Sequence, residues 1–62
     1  MFVKHIPIRY GEIIIRKFSD GTYNVRTVWD LVTGVKTCYF PKLTKYQAGK
    51  TVDYYAGRHI TW

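Results

Sequence analysis

The sequence predicts a mainly β protein, a strongly twisted antiparallel meander of four to five short strands. It is expected to curl toward a partly open small barrel of the Src-homology-3-like or OB-like kind. A four-stranded antiparallel sheet followed by one C-terminal helix is the alternative. Three observations carry the prediction: apolar and polar residues alternate from Phe2 onward, an isoleucine-rich run begins after Gly11, and turn residues at Ser19-Asp20-Gly21 and between Asp30 and Gly34 punctuate the middle of the chain.

The first strand is expected over Phe2 to Tyr10, with Phe2, Ile6, Ile8 and Tyr10 on one face and Val3, His5, Pro7 and Arg9 on the other. Pro7 has no N–H for a ladder, which places this strand at a sheet edge or bends it. Gly11 ends the run, and a second strand is expected over Glu12 to Phe18.

The Ser19-Asp20-Gly21 connection decides the next register. A two-residue Asp-Gly turn would set Arg16 beside Val25 and mix charge into the core face. A three-residue loop with Gly21 as the left-handed bulge residue pairs Phe18 with Thr22, Ile15 with Val25 and Ile13 with Thr27, and is the expected one. The third strand then runs from Thr22 to Trp29 with Tyr23, Val25, Thr27 and Trp29 inward.

The stretch VWDLVTG, Val28 to Gly34, resembles the strand-and-turn signature of the tryptophan–aspartate repeats of β-propellers. A blade takes about 40 to 45 residues and a ring at least about four blades. This chain has 62 residues and no second copy, so the stretch is read as a hairpin. Asp30 is expected to accept hydrogen bonds from N–H groups of the turn, Gly34 to supply a positive φ, and Trp29 to be a core residue. Pairing of Asp30 with Val35 starts a fourth strand, Val35 to Phe40, that turns Cys38 and Phe40 inward and Thr37 and Tyr39 outward. Pro41 is expected to stop it.

The last third carries competing signals. Thr44 and Gln47 fit a capping box, Leu43, Tyr46, Val52 and Ala56 recur near helical spacing, and Gly57 fits a helix stop. Gly49 and the β-favouring Thr51, Val52, Tyr54 and Tyr55 oppose a helix. The reading preferred on propensity is a loop or helical turn, a strand near Thr51 to Tyr55, and another near His59 to Trp62.

Residues 1–62 make one small domain, and a body of this size buries only about 60% of its extended-chain surface. Cys38 is the only cysteine, so neither an internal disulfide nor a cysteine-rich zinc site is available. A homodimer is therefore expected to supply the missing burial. No metal or other cofactor is expected, because two histidines and few acids lack ligand spacing. No apolar run exceeds three residues, as at Ile13 to Ile15, far short of the ~20 residues that span a bilayer. The expected setting is soluble and cytoplasmic, without a membrane partner.

Ten Lys and Arg against four Asp and Glu give a net charge of +6, which favours acidic partners: nucleic acid first, an acidic protein surface second. Under the register above, one face carries Glu12, Ile14, Arg16, Asn24, Arg26, Val28, Thr37 and Tyr39. Two guanidinium groups beside an exposed phenol suit phosphate pairing and base stacking. The C-terminal third adds Lys42, Lys45, Tyr46, Lys50, Tyr54, Tyr55 and Arg58 in the same basic and aromatic mixture. The expected function is thus non-enzymatic nucleic-acid binding through Arg16, Arg26, Tyr39 and these residues. The alternative is a small protein-interaction module or phage-type inhibitor that binds and blocks a larger protein or nucleoprotein complex. A Cys38 nucleophile served by His5 or His59 is disfavoured, since Cys38 falls on the core side. Asp20 and Asp30 are assigned to turns, which leaves Glu12 and Asp53 as spare carboxylates.

Overall fold

The computed structural model describes residues 2–62. Four strands, β1 (Phe2–Ile8), β2 (Gly11–Lys17), β3 (Tyr23–Leu31) and β4 (Gly34–Leu43), form one antiparallel sheet in the order β1-β2-β3-β4, and one helix, α1 (Lys45–Ala56), comes after them. The sheet is open: β1 and β4 remain its two edges and do not meet. The small barrel is therefore corrected to the alternative arrangement of a four-stranded sheet with a C-terminal helix.

The register of the middle strands is the expected one. Ile15 pairs with Val25, Ile13 with Thr27, Ile14 with Arg26 and Arg16 with Asn24. The loop that sets it is closed by Phe18 N–H donating to Thr22 C=O at 2.9 Å and Gly21 N–H to Phe18 C=O at 3.1 Å, with Gly21 at φ 87°. That dihedral lies in the region that side chains disfavour, so glycine widens the bend by one residue and keeps the isoleucines on the core side. Asp20 fixes the same turn, accepting from Thr22 N–H at 2.9 Å and Thr22 Oγ1 at 2.7 Å.

Several strand ends differ from expectation. The first strand stops at Ile8, and Arg9 and Tyr10 form a turn in which Tyr10 takes φ 64°. Gly11 opens β2 instead of breaking the chain, because β3 passes directly over it. A Cβ there would lie 1.9 Å from the Val28 carbonyl oxygen. Asp30 does pair with Val35, and pairing continues to Leu31 and Gly34, leaving Val32 and Thr33 as the turn. The described hydrogen bonds give the Asp30 carboxylate no turn donor. Its backbone N–H instead reaches the Tyr10 carbonyl at 2.7 Å. Trp29 is half-buried, packed on Tyr55.

Pro41 does not stop β4. Pro41 and Lys42 together oppose Asn24, a bulge between the Val25–Phe40 and Tyr23–Leu43 pairs, with Lys42 at φ 56°. A bulge needs no ladder N–H from its extra residue, which is why a proline fits there.

The strands expected near Thr51–Tyr55 and His59–Trp62 are replaced by α1 and an extended tail. Thr44 and Gln47 close a capping box through Gln47 N–H to Thr44 Oγ1 at 3.2 Å and Thr44 N–H to Gln47 Oε1 at 3.0 Å. Gly57, at φ 73°, ends the helix with its N–H on the Asp53 carbonyl. The buried helical face is Ala48 and Val52, flanked by Tyr55 and Ala56, a spacing of four, seven and eight residues from Ala48. Tyr46, which suggested the periodicity in sequence, is 73% exposed. Packing this face on Ile13, Ile15 and Val25, each fully buried, outweighs β-propensities that differ by about 1 kcal/mol or less.

The tail completes the same layer. The Asp53 carboxylate accepts from Ile60 N–H at 3.0 Å and lies 3.0 Å from His59 Nδ1. Trp62 packs edge-on to Tyr23 at 5.4 Å and stacks on Phe2 at 6.5 Å between ring centres. Helix and tail thus cover one face of the sheet within one chain. The small unstapled core was the reason to expect a homodimer, and this cover removes that reason. Among the described residues no feature marks a phage-type protein, and no helix is long and apolar enough to cross a membrane.

Candidate functional site

The face opposite α1 has no cover. Alternation along the strands brings Val3 and His5 of β1, Ile14 and Arg16 of β2, Asn24 and Arg26 of β3 and Tyr39 of β4 around a shallow hollow of about 180 Å³. Its apolar lining is the half-buried Ile14 and the exposed Val3.

Tyr39 stands at the β4 side, 50% exposed, and is held from two directions. The Arg26 guanidinium lies 5.2 Å from the centre of its ring, and Asn24 Nδ2 donates to its hydroxyl at 2.5 Å. Asn24 is positioned in turn by the bulge, since Lys42 N–H donates to its Oδ1 at 3.3 Å. The β-bulge therefore has a purpose at the site: it turns a backbone donor toward Asn24, and Asn24 fixes the phenol. A ring ordered before binding loses less side-chain entropy on contact. At the far side, His5 Nδ1 lies 3.2 Å from Glu12 Oε2.

The ten residues expected to form one binding surface do not share one. Arg16, Arg26 and Tyr39 meet on the open face. Lys45, Tyr46, Lys50 and Tyr54 lie on α1, across the sheet, where Lys50 Nζ sits 5.5 Å over the Tyr46 ring. Lys42 is at the bulge and Arg58 lies just past the helix. Tyr55 is a packing residue, in contact with Trp29 at 5.6 Å and Phe40 at 5.7 Å between ring centres. Its burial, with Cys38 and Tyr54 adding, pushes the phenol above its usual range, so it stays protonated. The cations are thus divided between the two sides of the sheet, and a single basic face does not assemble.

Val3 and His5 were not joined to the site by sequence reasoning, although their alternation with Ile6 and Ile8 is plain in the chain. What would have joined them is the two-residue turn at Arg9-Tyr10, which sets Val3 opposite Arg16 and His5 opposite Ile14.

The two spare carboxylates are each taken by a histidine and lie on opposite sides of the sheet, Glu12 with His5 and Asp53 with His59. Cys38 is half-buried on the helix side, beside Tyr55, and neither histidine is its partner. Among the described residues, no three of the His, Cys, Asp and Glu side chains cluster in a way that could hold a metal ion. Comparison of the chain with protein-family models, with curated proteins and with solved structures gives no match.

Proposed function

We propose that this chain is a protein-interaction module whose open sheet face takes an acidic, partly apolar segment of a larger protein and acts by occupying it. The observation that supports this over a polynucleotide is the composition of the hollow: apolar Ile14 and Val3 beside Arg16, Arg26 and a positioned Tyr39. Arg and Tyr around a desolvated apolar centre are what dominates binding energy at protein interfaces. A strand of nucleic acid instead calls for cations spaced along one track, each releasing counterions from a phosphate. Here Lys45 and Lys50 are on the opposite side.

The test is capture from lysate by the immobilised chain, with and without nuclease, beside the Arg16→Ala plus Arg26→Ala variant. A protein held by the wild type after nuclease treatment and lost from the double variant is the expected result. Retention by the double variant, or release by nuclease together with shifts of labelled oligonucleotides near physiological salt, would replace this reading with nucleic-acid binding or another surface.

A further inference from the structure

The two edges of the sheet are not equivalent. Phe18 N–H donates to Thr22 C=O and Asp30 N–H to Tyr10 C=O. Continuing that alternation, Arg16, Ile14 and Glu12 exchange their backbone bonds with Asn24, Arg26 and Val28. The odd-numbered residues of β3 therefore turn theirs to β4, and in β4 those of Lys36, Cys38 and Phe40 turn inward. Val35, Thr37 and Tyr39 present N–H and C=O groups to the open edge. By the same alternation Val3, His5 and Pro7 face outward from β1. Pro7 lacks the N–H that an added strand would use, so that edge is blocked, as natural sheets commonly arrange. From Gly34 to Phe40, β4 has no proline: Pro41 and the bulge come after this stretch, and its one lysine, Lys36, is drawn over the Trp29 ring.

Beside this edge lies a groove. Phe40 of β4 and Lys50, Thr51, Tyr54 and Tyr55 of α1 line about 290 Å³ of space, and Tyr54 is 78% exposed along it. A strand laid against β4 would send alternate side chains into this groove and the others toward the open face beside Tyr39. Strand addition at an edge with pockets for alternate side chains is a recurrent mode of peptide recognition.

We propose that β4 takes an extended segment of a partner protein as a fifth strand, with apolar side chains in the groove between β4 and α1 and acidic ones on the other face. The proposal rests on the chain being a protein-binding module and adds the backbone as the recognition element. Acidic residues on the open face are selected by the +6 charge and by Arg26, which lies over Tyr39 beside that edge. The five residues from Val35 to Tyr39 span roughly 17 Å, enough for a comparable length of partner strand.

The experiment is a titration of the isotopically labelled full chain, followed by NMR, with an end-blocked peptide of eight alternating valines and glutamates. Two further peptides carry N-methyl groups on all valine or all glutamate amides, which block one backbone edge each. The expected result is perturbation at the Val35, Thr37 and Tyr39 amides and at Tyr54, with one methylated peptide at least tenfold weaker and the other retained. Thr37→Pro removes an outward N–H without a β3–β4 bond, and is expected to weaken the unmodified peptide at least tenfold while the fold persists. Absence of binding, equal binding of both methylated peptides, or perturbation confined to Ile14 and Arg26 overturns strand addition. Concentration-dependent protection of the same three amides without peptide overturns it in favour of a second copy. If the captured protein is lost from the double arginine variant but held by Thr37→Pro, the open-face reading stands and strand addition alone fails.

Discussion

Thr27 places a hydroxyl in the middle of the core. It is fully buried between Ile13 and Cys38 in the register, and its Oγ1 has no hydrogen-bond partner among the described residues. A buried hydroxyl without a partner costs about 1 to 3 kcal/mol. Thr27→Val keeps the shape and removes that penalty, so it is expected to stabilise the chain by about 1 kcal/mol or more. Urea unfolding measures it, and a variant less stable than the wild type contradicts it. At this scale the sequence was readable where a single alternation applied: Thr27, Val25 and Tyr23 all fall inward as their parity requires. Trp29 shares that parity yet is only half-buried, because it lies toward the hairpin end of β3, where Tyr55 is its aromatic contact from the helix. Parity assigns a face, and only the third dimension assigns the depth.

The helix is the element that propensity misjudged, and Gly49 shows why. In isolation a glycine, two β-branched residues and several tyrosines in twelve positions argue against helix, but none of them lies on the face that decides the matter except Val52 and Tyr55, which pack well there. The signals that were right were local and geometric: the Thr44–Gln47 box and the Gly57 stop. Nothing lies within 4 Å of a Cβ built on Gly49, so Gly49→Ala meets no obstacle. It is expected to raise stability by about 0.5 to 1 kcal/mol by restricting the unfolded chain and improving helix propensity. Thermal unfolding followed by circular dichroism tests this, and an unchanged or lowered midpoint counts against it. The strands were legible because two connections, the loop set by Gly21 and the hairpin that pairs Asp30 with Val35, fixed the parity of every residue from Glu12 to Tyr39, and with it the meeting of Arg16, Arg26 and Tyr39. The bulge at Pro41 was not legible, since a proline after a strand reads equally as its end.

For the whole molecule the tail decides how well the layer opposite the open face is closed. Asp53 ties it down, and the bonds from His59 first and Ile60 N–H next hold the Asp53 carboxyl below its ordinary range. A depressed carboxylate contributes stability that is present above its unfolded pKa and lost as pH falls through the lower folded one. Acidification from about pH 6 to about pH 2 is therefore expected to release the tail below about pH 4. The Ile60 amide resonance should titrate with Asp53, and the Thr22 amide with Asp20, whose carboxyl Thr22 also holds low. In Asp53→Ala the Ile60 transition should vanish while that at Thr22 persists, and an Ile60 amide unmoved by acid would refute the tether. The same arrangement separates the two indoles of the chain. Trp29 sits at the hairpin end against Tyr55 and Lys36, and Trp62 at the other end against Phe2 and Tyr23. Emission from one indole thus reports on the neighbourhood of the β4 groove and emission from the other on docking of the tail. Replacing either by phenylalanine leaves a single-site optical probe, free of any added dye, for events at opposite ends of β3.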